Sequence, residues 1–166
     1  ANGVPLRGHD GHAGEVGHNV VDPAGPPCHC GKRGCIETYI GDKVLLKLAR
    51  RRRPPTVENV AALFADAYRG DVCAAEAVST VARSLGHTVA GLVNILNPQR
   101  VILGGSLAGM YDFAADEVTA AMRDYAMIGG HERVQLCTPG LGTDSSLLGA
   151  AELAFTELLT DPLIRP

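Results

Sequence analysis

The chain has 166 residues, 46% of them hydrophobic, enough to build one domain with a real core. A formal net charge of −3 and a pI of about 6.1 argue against this segment being a nucleic-acid clamp, which needs a basic face. No apolar run approaches the ~20 residues needed to span a bilayer, no signal peptide is visible, and five cysteines, an odd number, suit a reducing cytoplasm.

Residues 1–17, ANGVPLRGHDGHAGEVG, read as a strand remnant followed by a loop. Ala1 stands where an initiator Met would, as expected of a chain cut from something longer. His9 and His12 are expected to be solvated, since no thiol or acid pairs with them at a ligand spacing. His18 to Val21 is expected to be a short extended piece, ended by the Asp22-Pro23 turn.

Cys28, Cys30 and Cys35 then fall within eight residues, with His18 upstream. One histidine and three thiols match the ligand set of a closed tetrahedral zinc site. Gly31 and Gly34 lie between the ligands, where the chain must turn sharply to aim its sulfurs at one point. Pro26 and Pro27 stiffen the approach. The alternatives are one disulfide with a spare thiol, or unrelated buried thiols. Cys28 and Cys30 are too close to pair easily, and inert thiols rarely cluster beside glycine and proline.

After Cys35 a helix is predicted over Ile36–Tyr39, interrupted near Gly41 and resuming over residues 43–53. The run Arg50 to Arg53 could be a DNA or phosphate patch; the plainer reading is a solvated helix C-terminus, where cations favour the dipole, stopped by Pro54 and Pro55. Thr56 to Tyr68 reads as a helix with Thr56 as its N-cap, and Asp71 caps the next. In that next helix, 73–96, Val78, Val81, Leu85, Val89, Leu92 and Leu96 recur at spacings of three and four and mark its buried face. Gly86, Ala90 and Gly91 would let a neighbour approach, and Asn97-Pro98 stops the helix. Arg100 to Leu103 is predicted as a short buried strand running into Gly104, Gly105 and Ser106 and then a helix over 107–126. Strand, glycine turn and helix can offer backbone N–H groups to a phosphate, although many such turns serve packing alone. A second strand covers Val134 to Cys137, and a last amphipathic helix covers 146–159, capped by Asp144 or Ser145. Cys73 and Cys137 are expected to be buried thiols.

Three stretches carry a resemblance. GEVGH, VDP and CHCGKRGCIE resemble the zinc signature of the ROK family (repressors, open reading frames, kinases), with the His, the C-x-C, the C-x4-C and the flanking acids in register. NPQRVILGGSL resembles the adenosine-side motif of actin/hexokinase-fold proteins, and LGTDSSLLGAAELA resembles the closing segment of ROK proteins. The resemblance implies an α/β chain, the C-terminal lobe of an actin/hexokinase-like (ribonuclease H-like) fold. It would span 1–166, with a zinc loop over 15–40 and a helical and α/β part over 41–160. It implies structural zinc on His18, Cys28, Cys30 and Cys35, and sugar contacts from Glu15, His18 and Glu37. Carboxylates suit a polyol because each accepts from vicinal hydroxyls. A low-ranking nucleotide site falls on Gly104, Gly105 and Ser106.

ROK proteins are sugar kinases and sugar-responsive transcriptional regulators. A kinase needs a catalytic Asp, a phosphate-cradling loop and a magnesium site. In the family, D-x-G-x-T and the N-D pair lie upstream of GEVGH, and neither is in this chain; Asp10 has no such context. No catalytic residue is therefore assigned. The expectation is the sugar-sensing part of a cytoplasmic, dimeric regulator that binds a hexose or N-acetylhexosamine and reaches DNA only through a domain outside this chain. The alternative is part of a sugar kinase using ATP and magnesium.

Overall fold

The stripe of small and branched apolar residues after Asp71 folds as one long helix, and the helices within residues 37–68 and 106–125 pack around it, whereas the expected amphipathic last helix buries no described side chain. The computed structural model describes residues 4–127, 129, 132–161 and 163. Four helices lead up to the sheet: α1 (Glu37–Ile40), α2 (Asp42–Leu48), α3 (Val57–Tyr68) and α4 (Val72–Leu96). Strand β1 (Arg100–Ile102), helix α5 (Ser106–Tyr125) and strand β2 (Gln135–Cys137) follow. The chain closes with α6 (Ser145–Ala154) and α7 (Thr156–Thr160). The two strands pair in parallel, Val101 opposite Leu136, and α5 makes the crossover that a parallel pair requires.

Two of the three predicted caps are in place; at the third, Asp144 precedes α6 without a side-chain cap bond, and the Ser145 hydroxyl donates back to the Gly142 carbonyl. The Thr56 hydroxyl accepts from the Asn59 N–H at 3.3 Å, and Asp71 Oδ1 accepts from the Ala74 N–H at 2.9 Å. Each side-chain oxygen satisfies a donor that has no partner inside its helix. Asn97 ends α4 in the left-handed conformation at φ 44°. The α4 core face runs through Val78, Val81, Ala82, Leu85, Gly86, Val89, Ala90 and Val93. Two residues of the expected stripe lie off it: Leu92 is half-buried and Leu96 exposed, with Val93 taking the buried place. Gly86 meets α5 so closely that an added Cβ would lie 2.5 Å from the Val118 carbonyl oxygen. Gly91, also expected at a close approach, has open space around it.

Other expectations change. Helix α2 stops at Leu48, and Arg50 takes a left-handed φ of 56°, so the arginine run is a turn and not a helix end. Arg51 points inward to Asp66 at 3.0 Å and Asp71 at 2.6 Å. Val16–His18 forms a 3-10 turn where an extended piece was expected to begin at His18. The first strand is only partly buried: Val101 packs half-buried against the core, Ile102 is 60% exposed, and Leu103 just beyond the strand is buried. The last helix breaks at Phe155 into α6 and α7. Cys73 is exposed and Cys137 half-buried, so neither is an interior thiol. Among the described residues, no helix is long and apolar enough to cross a membrane.

Candidate metal and ligand site

The loop from Gly14 to Glu37 is shaped almost wholly by its own backbone. Val20 bridges Cys35, and Pro27 bridges Arg33, both antiparallel. Gly34 N–H donates to the Pro26 carbonyl at 2.7 Å, and Cys28 N–H donates to the Lys32 carbonyl at 2.8 Å. Two turns at positive φ make this folding-back possible, Gly31 at 87° and Gly34 at 67°. Gly34 is also bound by space, because a Cβ there would collide with the Asp22 carbonyl. Tyr39 on α1 ties the loop down by donating to Asp22 Oδ2 at 3.1 Å. Desolvation, then the bond to Asp22, raises the Tyr39 phenol above its ordinary value.

This folding brings together the four residues expected to be metal ligands. One ligand atom from each of His18, Cys28, Cys30 and Cys35 lies within 4.8 Å of the others. The Cys30 and Cys35 sulfurs are 3.7 Å apart, and Cys28 Sγ is 3.7 Å from His18 Nδ1. A tetrahedron with Zn–S bonds of ~2.3 Å has edges of about 3.8 Å, so these separations suit a closed zinc site. They do not suit a disulfide, which needs S–S of about 2.05 Å, and all three thiols are free. The cluster can hold a metal, and its three sulfurs favour a thiophilic one. Cys35 is fully buried and Cys28 nearly so, which keeps competing water from two of the ligands.

Both acids expected to flank the site are there. Glu15 Oε2 is 4.0 Å from His18 Nε2, and Glu37 Oε2 is 3.9 Å from His18 Nδ1. Glu37 Oε1 accepts from the Cys28 thiol at 3.0 Å. That bond is the main reason the Glu37 carboxyl is held below its ordinary value and the Cys28 thiol is pushed up to about 12. The backbone N–H of Lys32 draws Cys30 down, whereas burial pushes Cys35 up. His29, not singled out from the sequence, also reaches Glu37, its Nδ1 lying 2.7 Å from Oε1. The only sign of it in the sequence was its place inside the C-x-C. His9 and His12 are exposed, as expected. Gly104 and Gly105 are exposed at the turn from β1 into α5, with Gly105 at φ 59° and Ser106 as the first helical residue. Behind the metal loop, a cavity of about 450 Å³ separates it from α4, with Asn19, Ile36, His87 and Ile95 in its walls.

The chain as a whole is similar to known proteins. The model of the ROK family matches residues 1–157. The DNA-binding transcriptional repressor Mlc of Escherichia coli (strain K12) is 30% identical over 165 residues, 90% of this chain and 40% of Mlc. The N-acetylglucosamine repressor of Escherichia coli O157:H7 is 35% identical over 115 residues, 64% of this chain and 28% of that protein. A ROK family glucokinase from Streptomyces griseus, solved in complex with glucose and AMPPNP, is 31% identical with a TM-score of 0.74, covering 89% of this chain and 53% of that one. This chain thus spans about half or less of the length of these proteins.

Proposed function

The chain belongs to the ROK family, and on that premise we propose that it is the zinc-pinned, sugar-recognising part of a sugar-responsive transcriptional regulator. Its fold is the actin-like ATPase fold of the ROK glucokinases and hexokinases. One observation carries the reading: His18 turns Nδ1 to the cysteine cluster, 3.7 Å from Cys28 Sγ, and Nε2 to Glu15, while Glu37 lies against both His18 and Cys28. Zinc on His18, Cys28, Cys30 and Cys35 would be structural, because four protein ligands leave no position for a substrate. With one ring nitrogen on the metal, the other is fixed as a donor. That donor and two carboxylates form a small polar set suited to the hydroxyls of a hexose or N-acetylhexosamine. In this reading the chain is the C-terminal lobe of a cytoplasmic homo-oligomer, and DNA is bound by a domain outside residues 1–166.

A second reading, part of a sugar kinase, has its own support. The turn from β1 through Gly104 and Gly105 into α5 at Ser106 has the strand–glycine–helix form that suits nucleotide phosphates. In that case ATP and magnesium would be bound together with groups outside this chain.

Calorimetry on the full-length protein with glucose and N-acetylglucosamine tests both. Glu37→Ala is expected to weaken sugar binding about tenfold or more, the worth of one charge-assisted hydrogen bond, while zinc stays at one per chain. Cys30→Ser is expected to lose zinc and sugar together. Unchanged sugar affinity in Glu37→Ala would overturn the sugar site. Sugar-dependent DNA affinity supports the regulator; binding of an ATP analogue, lost in Gly105→Val, supports the kinase.

A further inference from the structure

We propose that His29 is a positioning residue for Glu37: it fixes the carboxylate that faces the sugar and stays outside the ligand set of the metal. The proposal rests on the sugar-binding reading of Glu37. His29 Nδ1 lies 2.7 Å from Glu37 Oε1, closer than the Cys28 sulfur that shares that oxygen at 3.0 Å. The other carboxylate oxygen faces His18 Nδ1 at 3.9 Å. Glu37 is thus held in one rotation, Oε1 toward His29 and Oε2 toward the imidazole of His18. A metal bound to the cluster would take the Cys28 sulfur as a ligand, leaving His29 as the close neighbour that keeps Oε1 in place. A free glutamate would lose side-chain entropy on binding a sugar; one already held loses less.

His29 is well placed to do this. Its backbone lies between Cys28 and Cys30, so a metal on the two sulfurs pins it on both sides. Its side chain is 75% exposed against 32% for Glu37, so it approaches the carboxylate from the solvent side. Its ring stands edge-on to His18, with centroids 5.1 Å apart and planes at 73°. His18, His29 and Glu37 also bring one ligand atom each within 4.8 Å, so a direct metal role for His29 is the rival outcome. Zinc favours the sulfur-rich set, which leaves His29 to Glu37.

The test compares His29→Ala, His29→Asn, Glu37→Ala and the His29→Ala/Glu37→Ala double variant in the full-length protein. Glucose and N-acetylglucosamine affinities are measured alongside zinc content and the visible spectrum of the cobalt-substituted protein. An asparagine N–H sits near the place of Nδ1, so His29→Asn is expected to bind sugar within about twofold of wild type. His29→Ala is expected to bind about three- to tenfold more weakly, with full zinc and an unchanged cobalt spectrum. The double variant is expected to be no weaker than Glu37→Ala alone, because a residue that acts through Glu37 has nothing left to position. If Glu37→Ala weakens binding and His29→Ala does not, the positioning role is overturned while the sugar site stands. An additive double variant overturns it as well, since His29 would then touch the sugar directly. A shifted cobalt spectrum in His29→Ala makes His29 a ligand and overturns it too. If Glu37→Ala has no effect, the underlying sugar reading fails, and the positioning role with it.

Discussion

The loop of residues 14–37 and the α4–α5 pair hold their shapes by different physics. Between the two helices, Val78, Val81, Val89, Met110 and Val118 are essentially out of water, and a fully buried side chain of this kind stabilises by about 1.5–3 kcal/mol. The loop buries only Cys28, Cys35 and Ile36 among its hydrophobic residues. Backbone bridges and the four clustered ligand side chains stand in for a core. A segment this poor in apolar burial needs another source of order, and metal binding is the one its residues offer. The two regions should therefore fail separately.

Metal removal gives the largest break. Cys35→Ser is expected to lower zinc affinity by more than about a hundredfold. Amide exchange is then expected to accelerate across 15–40 while protection in α4 and α5 stays. Loop protection that survives without metal, or helices that melt along with the loop, would erase the distinction. The converse break is Gly86→Val. Its new side chain would press on the Val118 carbonyl and on the Ala121 Cβ, 2.6 Å from the added Cβ. Overpacking of this kind costs about 1–3 kcal/mol, read as a lower urea midpoint for the helices, with zinc content unchanged.

The same contrast explains what could be read from the sequence. The histidine–cysteine cluster was legible because its four residues lie within 18 positions, His18 to Cys35, and their chemistry is specific. Thr56 and Asp71 were legible because a cap is a local bond between a side chain and a backbone N–H three residues on. Burial was less so, since it depends on what covers an element. The branched run at Arg100–Ile102 reads as an interior strand, yet its faces differ: Val101 packs on the core and Ile102 is exposed, and among the described residues β1 pairs with β2 alone. Leu92 and Leu96 fit the helical spacing, but α5 packs over Gly86, and the buried place near the helix end goes to Val93. The arginine run was misplaced because Arg51 finds its partners on other elements, at Asp66 and Asp71. His29 was missed for a related reason: its distance to Glu37 depends on how the loop folds back.

The smallest effect sharpens the comparison from the helical side, through Asp71. Its Oδ1 caps α4, and its Oδ2 accepts from Arg51. The Ala74 N–H first, then Arg51, hold this carboxyl below the ordinary aspartate value, about 3.9 in an unfolded chain. A depressed folded pKa contributes stability that is fully present above the unfolded value and lost as pH falls through the folded one. Asn caps as well as Asp, so Asp71→Asn keeps the cap and removes the charge. Arg51 still has Asp66, and partly exposed ion pairs are worth little, so the loss should be small. Urea unfolding followed by helical circular dichroism should show the variant slightly less stable than wild type, by a constant gap from pH 7 to 5. Below about pH 4 the gap should close, as wild type loses the charge the variant never had. Acid also strips metal from thiolates, but it does so in both proteins and cancels in the difference. A gap that persists at pH 2.5 would mean that Asp71 acts through its shape, and that the helical region owes nothing there to charge.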